Sequence, residues 1–141
     1  MKIFADSALS FISERPDAQD RRRAWSLFEE AGLPTTSDEV WRYAPLNDLS
    51  LDDFTVNSFP TEHKDSEFAS ELCRRAGVVV RVVDGFCIDA GSAPDGVRVE
   101  VVENASSVSG TSMLKRYESD TFALLSNALT PATTIVNIGT A

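Results

Sequence analysis

The sequence predicts an α+β fold, with helices gathered in its first third and short strands in its second half. Three observations carry this. Apolar residues up to about residue 54 recur at helical spacing, and residues 55–66, TVNSFPTEHKDS, are polar and broken by Pro60. Beyond Gly77 the chain turns to β-branched runs punctuated by Asp-Gly and Pro-Asp-Gly. The expected organisation is a helical subdomain over 1–54, a linker over 55–66, and a mixed α/β segment over 67–141.

Each element has a local reason. In 4–12 the residues Phe4, Ala8, Leu9, Phe11 and Ile12 recur at helical spacing, and Arg15-Pro16 ends the run because a residue before proline is driven out of the α region. A second helix is expected from near Asp17 through Ala24, Trp25, Leu27, Phe28 and Ala31. Gly32 suits the left-handed position after it, and Pro34 prevents its resumption. Thr36 and Glu39 have the spacing of a capping box, which would open a short third helix carrying Val40 and Trp41. Ser66 or Asp65 can cap a helix through Phe68, Leu72 and Cys73 that ends at Gly77.

The strands follow. The run 78–83 reads as a strand, Asp84-Gly85 as a two-residue hairpin turn, and Phe86-Cys87-Ile88 as the return. Ala93-Pro94-Asp95-Gly96 makes another turn, after which Val97, Val99 and Val101 alternate with Arg98 and Glu100, the pattern of a strand with one wet face. Residues 104–112 read as a small-residue loop. Asp120 can cap a helix holding Phe122, Leu124, Leu125, Ala128 and Leu129, and 133–138 form a last strand. An unpaired edge is a liability that proteins manage. That strand is therefore expected either to pair back inside the chain or to await further strands.

Composition narrows function by exclusion. Among 141 residues, 22 acidic against 13 basic side chains leave a net charge of -9. Such a surface repels phosphate backbones and anionic lipid, so neither nucleic acid nor membrane is an expected partner. The run Arg21-Arg22-Arg23 is too short to reverse that field and reads as a solvated face. No apolar run resembles a signal peptide, and the apolar stretch 77–83 falls far short of a bilayer span of about 20 residues. A cytoplasmic setting and two free thiols, Cys73 and Cys87, are expected.

The chain carries no recognisable catalytic constellation. One histidine and two cysteines fourteen positions apart fall short of a zinc ligand set. The cysteines read as small, partly buried hydrophobes. His63 lies in the polar linker without an orienting partner, and no nucleophile elbow, P-loop or dinucleotide fingerprint occurs. Glu29-Glu30 and Asp52-Asp53 are sequence neighbours, which point different ways on a helix. The expectation is a protein without catalysis of its own and with no cofactor held by this chain.

One segment stands out, 32–46, GLPTTSDEVWRYAPL. It joins a helix stop at Gly32 and Pro34 to the acidic pair Asp38-Glu39 and the cluster Trp41-Arg42-Tyr43. It can serve as a structural clip, with Trp41 and Tyr43 anchoring the loop on the helices and Arg42 stacked or paired with an acid. It can also serve as an interaction hot spot, because Trp, Tyr and Arg dominate interface energies.

The segment resembles the N-terminal signature of the SufD family, subunits of the SUF iron–sulphur cluster assembly scaffold. Members read G-L-P-T, two or three polar residues, then D-E-x-W-[RK]-Y, matched here by 32–35, Asp38, Glu39, Trp41, Arg42 and Tyr43. The hairpin Val79–Phe86, with Val-Asp-Gly-Phe, is similar to the family's V-[ND]-G-x-F, and 120–129 resembles its D-x-F-A-x-L-N-x-A helix. Ser126-Asn127-Ala128 departs from that helix by a one-position shift of polarity. The similarity spans most of 18–141.

The resemblance implies a helical subdomain whose following strands lead into the start of a right-handed β-helix. It also implies scaffolding in iron–sulphur assembly beside a SufB-like subunit and a SufC-like ATPase, with a cluster present only in the full assembly. Family members continue for a few hundred residues beyond this region, and their cluster-building residues lie there, so none is carried onto this sequence. The alternative is a stand-alone adaptor that binds another protein through the Trp41–Tyr43 surface.

Overall fold

A computed structural model of the chain describes residues 2–64, 66–103 and 120–139. They divide into two compact units, each built from two stretches of chain. A helical unit holds 2–57 and 120–130, and a sheet unit holds 58–103, apart from 65, and 131–139.

The helical unit contains α1 (Lys2–Ser13), α2 (Ala18–Ala31) and a later helix, Thr121–Leu129. Short 3-10 turns at Glu39–Trp41, Leu46–Asp48 and Leu51–Asp53 follow α2. Phe4, Ala8, Phe11 and Ile12 bury one face of α1, and Arg21, Trp25 and Phe28 bury one face of α2. Both sets recur every three or four residues, as an α-helix requires. The Trp25 ring sits 6.0 Å from Phe4 and 5.3 Å from Phe28, both tilted. Each large apolar side chain removed from water here contributes about 1.5–3 kcal/mol. Gly32 closes α2 with φ +70, and its N–H donates to Phe28 O at 2.8 Å. An added Cβ would meet nothing within 4 Å, so the backbone angle and not the space calls for glycine.

The sheet unit begins with α3 (Glu67–Arg75), whose N-cap Ser66 accepts from the Ala69 N–H at 3.1 Å. Strands β1 (Arg81–Val83) and β2 (Phe86–Asp89) form an antiparallel hairpin. Its turn residues Asp84 and Gly85 have φ of 51 and 85, the left-handed pair that a tight right-twisted hairpin needs. A second antiparallel ribbon pairs β3 (Val97–Val102) with β4 (Thr133–Ile138), in register from Val97↔Ile138 to Val102↔Thr133. Thr121–Leu129, between β3 and β4 in sequence, is α4.

Burial is unequal between the units. Every buried hydrophobic side chain among the described residues belongs to the helical unit: Phe4, Ala8, Phe11, Ile12, Trp25, Phe28, Leu51, Leu124 and Ala128. In the sheet unit only Pro131 is buried among the described residues.

Several expectations need correction. The helix opened by a Thr36–Glu39 capping box is a 3-10 turn preceded by Asp38, with no side-chain cap. Asp38 is otherwise engaged, accepting from the Thr35 N–H at 2.7 Å. The strand expected over 78–83 is observed only over Arg81–Val83, and its register against β2 shifts between Arg81 and Val82. The helix at 120–129, expected within the segment 67–141, packs with the helical unit, where Leu124 and Ala128 are buried. The last strand pairs back onto β3, the first of the two outcomes expected for it. All described strands pair antiparallel in two separate ribbons, so the parallel coils of a right-handed β-helix are not among them. The loop expected at 104–112 lies outside the described residues.

Candidate functional site

The segment 32–46 is held by its backbone and by one aromatic contact. Asp38 fixes the turn through Thr35, and its carbonyl accepts from the Trp41 N–H at 2.9 Å. The Trp41 carbonyl accepts in turn from the Ala44 N–H at 3.0 Å. These bonds present the half-buried Trp41 ring to α4, where it meets Phe122 edge-on at 5.1 Å and 69°. The positive ring edge against the negative ring face favours that arrangement.

Its neighbours behave differently. Arg42 pairs with Glu39 at 2.7 Å on the surface, an interaction worth about 0–1 kcal/mol in water. Tyr43 is 92% exposed and Val40 84% exposed. Trp41 alone supplies the clip, and the anchoring role expected of Tyr43 is not observed. Gly32, Pro34, Asp38 and Glu39 shape the approach to this turn, while Val40 and Tyr43 offer apolar and aromatic surface to the outside.

The arginine run divides in a way that sequence reading missed. Arg22 and Arg23 are exposed, but Arg21 is fully buried on the core face of α2. Its Nε donates to Asp17 Oδ1 at 2.5 Å, and its Nη1 donates to Ala128 O at 3.2 Å and Thr130 O at 2.6 Å. The guanidinium thus satisfies carbonyls at the C-terminal end of α4 that have no partner within the helix. The available signal was spacing: Arg21, Trp25 and Phe28 share one helical stripe, and Asp17 stands four residues before Arg21.

Other polar groups make surface clasps. Asp84 accepts from Thr61 Oγ1 at 2.7 Å and from the Thr61 N–H at 2.9 Å, which holds its carboxyl below the usual range, with His63 adding a smaller favourable field. The Asp89 carboxyl is lowered by the Gly91 N–H at 2.8 Å and by Arg81, also at 2.8 Å. Cys73 and Cys87 are half-buried thiols in α3 and β2. Among the described residues no group of three or more His, Cys, Asp or Glu is placed to hold a metal ion. No helix among them is long and apolar enough to cross a membrane.

What the described surface offers is contact area. In the sheet unit Ile138 is 80% exposed, Phe68 73%, Phe59, Leu72 and Val82 are also largely in water, and Val136 is nearly half so. Comparison of the chain with protein-family models, curated proteins and solved structures returned no match.

Proposed function

We propose that this chain is the N-terminal part of a SufD-like scaffold subunit in iron–sulphur cluster assembly, working through contact with SufB- and SufC-like partners. The physical observation that supports an assembly role is the distribution of apolar surface. The sheet unit displays Phe59, Phe68, Leu72, Val136 and Ile138 and, apart from Pro131, buries no hydrophobic side chain among its described residues. Surface of that kind is stabilised when other polypeptide covers it. The family assignment rests on the residue pattern at 32–43, with the hairpin and the α4 sequence in the same order. On this reading β4 is an edge onto which the first coil of a right-handed β-helix adds, and a cluster belongs to the complete assembly. The chain itself runs no reaction and works in the cytoplasm.

Mixing the purified chain with a SufB-like subunit and a SufC-like ATPase from the same source, followed by size-exclusion chromatography, tests this. Co-elution of the three is expected. A chain that is folded by circular dichroism yet elutes alone defeats the proposal. Anaerobic reconstitution adds a second arm, in which a stoichiometric iron–sulphur absorbance on the isolated chain would overturn the absence of a cluster site.

The alternative, a stand-alone adaptor, draws on a different observation. Val40 and Tyr43 project from a turn already secured by Trp41, so their exposure is not a by-product of a loose loop. Loss of a partner on Tyr43→Ala, without co-elution of SufB- or SufC-like proteins, would favour it.

A further inference from the structure

We propose that the sheet unit opens as a separate, low-stability element while the helical unit stays folded. This inference stands on packing alone and is independent of the SufD-like reading. Cooperative stability comes chiefly from apolar side chains removed from water. Apart from Pro131, the described residues concentrate all of theirs on α1, α2, α4 and the Leu51 turn. The sheet unit holds two ribbons of two strands each, β1–β2 and β3–β4. Two-stranded ribbons are marginal in water, and three or more strands with a covered apolar face are needed for independent stability. β3–β4 has neither: Val97, Val99, Val102 and Ile135 are only half-buried, and Val101, Val136 and Ile138 are exposed. Its ladder bonds therefore break at little cost in buried surface.

The boundary of this opening is marked in the chain. Thr130, the last residue of the helical unit, has its carbonyl bound by the buried Arg21 guanidinium at 2.6 Å. Pro131 follows and has no N–H with which to extend helical bonding. Release of β4 from β3 can proceed up to this point without freeing α4. The ribbon is then an exchangeable element, while the helical unit keeps its own core.

Amide hydrogen exchange on the full chain, read residue by residue by NMR in water and in low urea, tests the proposal. Amides of β3 and β4 should exchange at least about 100-fold faster than core amides of α2 and α4. They should also show a smaller dependence on urea. Equal protection in both units, falling with the same urea slope, would overturn it. A second arm uses Ile135→Ala. Faster exchange confined to the ribbon supports the proposal, whereas equal acceleration in α2 and α4, or unfolding of the whole chain, refutes it.

Discussion

The Arg21 guanidinium and the Thr130 carbonyl, 109 residues apart in the chain, are joined at 2.6 Å inside the helical unit. The same side chain holds Asp17, so one buried cation ties the start of α2 to the end of α4. Two charges taken from water are costly, and the pair is tolerated because both carbonyls and the carboxylate satisfy the guanidinium.

Removing one partner of this pair should therefore be worse than removing both. Arg21→Ala strands Asp17 and the α4 carbonyls and should lower stability by about 3–5 kcal/mol in urea denaturation. The double variant Asp17→Leu with Arg21→Met replaces the charges by apolar volume and should recover the part of that loss due to the unpaired Asp17 carboxylate, while the part due to the α4 carbonyls remains. A cost below about 1 kcal/mol for Arg21→Ala would show that the pin contributes little.

Trp41 and Tyr43, two residues apart, should separate cleanly. Trp41→Ala removes the edge-on contact with Phe122 and should cost about 1–3 kcal/mol. Tyr43→Ala, at a fully hydrated side chain, should stay within about 0.5 kcal/mol. A double-mutant cycle between Trp41→Ala and Phe122→Ala should return a coupling of about 0.5–1.5 kcal/mol. Partner binding that falls for Tyr43→Ala at unchanged stability would identify the exposed ring as interaction surface.

Sequence reading succeeded where local chemistry decides the outcome. Asp84-Gly85 forms the hairpin turn, Asp120 caps α4 through the Ala123 N–H at 2.9 Å, and Gly32 ends α2. These depend on two to four adjacent residues and little else. It failed where a local signal met a competitor. The Thr36–Glu39 spacing lost to Asp38, whose carboxylate takes the Thr35 N–H and leaves a 3-10 turn in place of a helix. It also failed where contacts are remote. Placing α4 against α2 depends on Ala128 and Leu124 meeting a buried arginine more than a hundred positions earlier. Read by charge, Arg21-Arg22-Arg23 is one surface run, and only helical phase separates its first member from the other two. In the candidate site, Trp41 was legible as an anchor, and the exposure of Tyr43 was not.

The Asp84 and Asp89 clasps of the β1–β2 hairpin should weaken in acid. Hydrogen bonds from Thr61 to Asp84, and from Gly91 and Arg81 to Asp89, lower both carboxyls in the folded state. Groups of that kind stabilise the fold fully above their unfolded value of about 3.9 and lose the contribution as pH falls through the lower folded value. Between pH 7 and about pH 5 the Gly91 amide resonance should hold still. Below about pH 4 the Thr61 and Gly91 amide resonances should move with the carboxyl titration. Asp84→Asn should remove the Thr61 response and leave that of Gly91. Movement of the Gly91 amide between pH 5 and 7 would contradict this origin.

Glycine substitutions should rank by what a Cβ would meet. At Gly32 the backbone, φ +70 with ψ -179, lies where almost only glycine is found and is the only obstacle, so Gly32→Ala should cost about 1–3 kcal/mol. At Gly85 a Cβ would also lie 2.9 Å from Pro131 Cδ, and the rigid ring can yield only by moving the start of the chain into β4. At Gly91 it would lie 2.7 Å from the Val79 carbonyl oxygen, which is backbone and cannot rotate away. Both have positive φ as well, so Gly85→Ala and Gly91→Ala should each disturb the hairpin more than Gly32→Ala disturbs α2. Backbone amide shifts report this directly: large displacements across β1 and β2 for the two hairpin variants, and small ones confined to the end of α2 for Gly32→Ala. Equal, small displacements for all three would mean that the close approaches at Pro131 and Val79 are absent in solution.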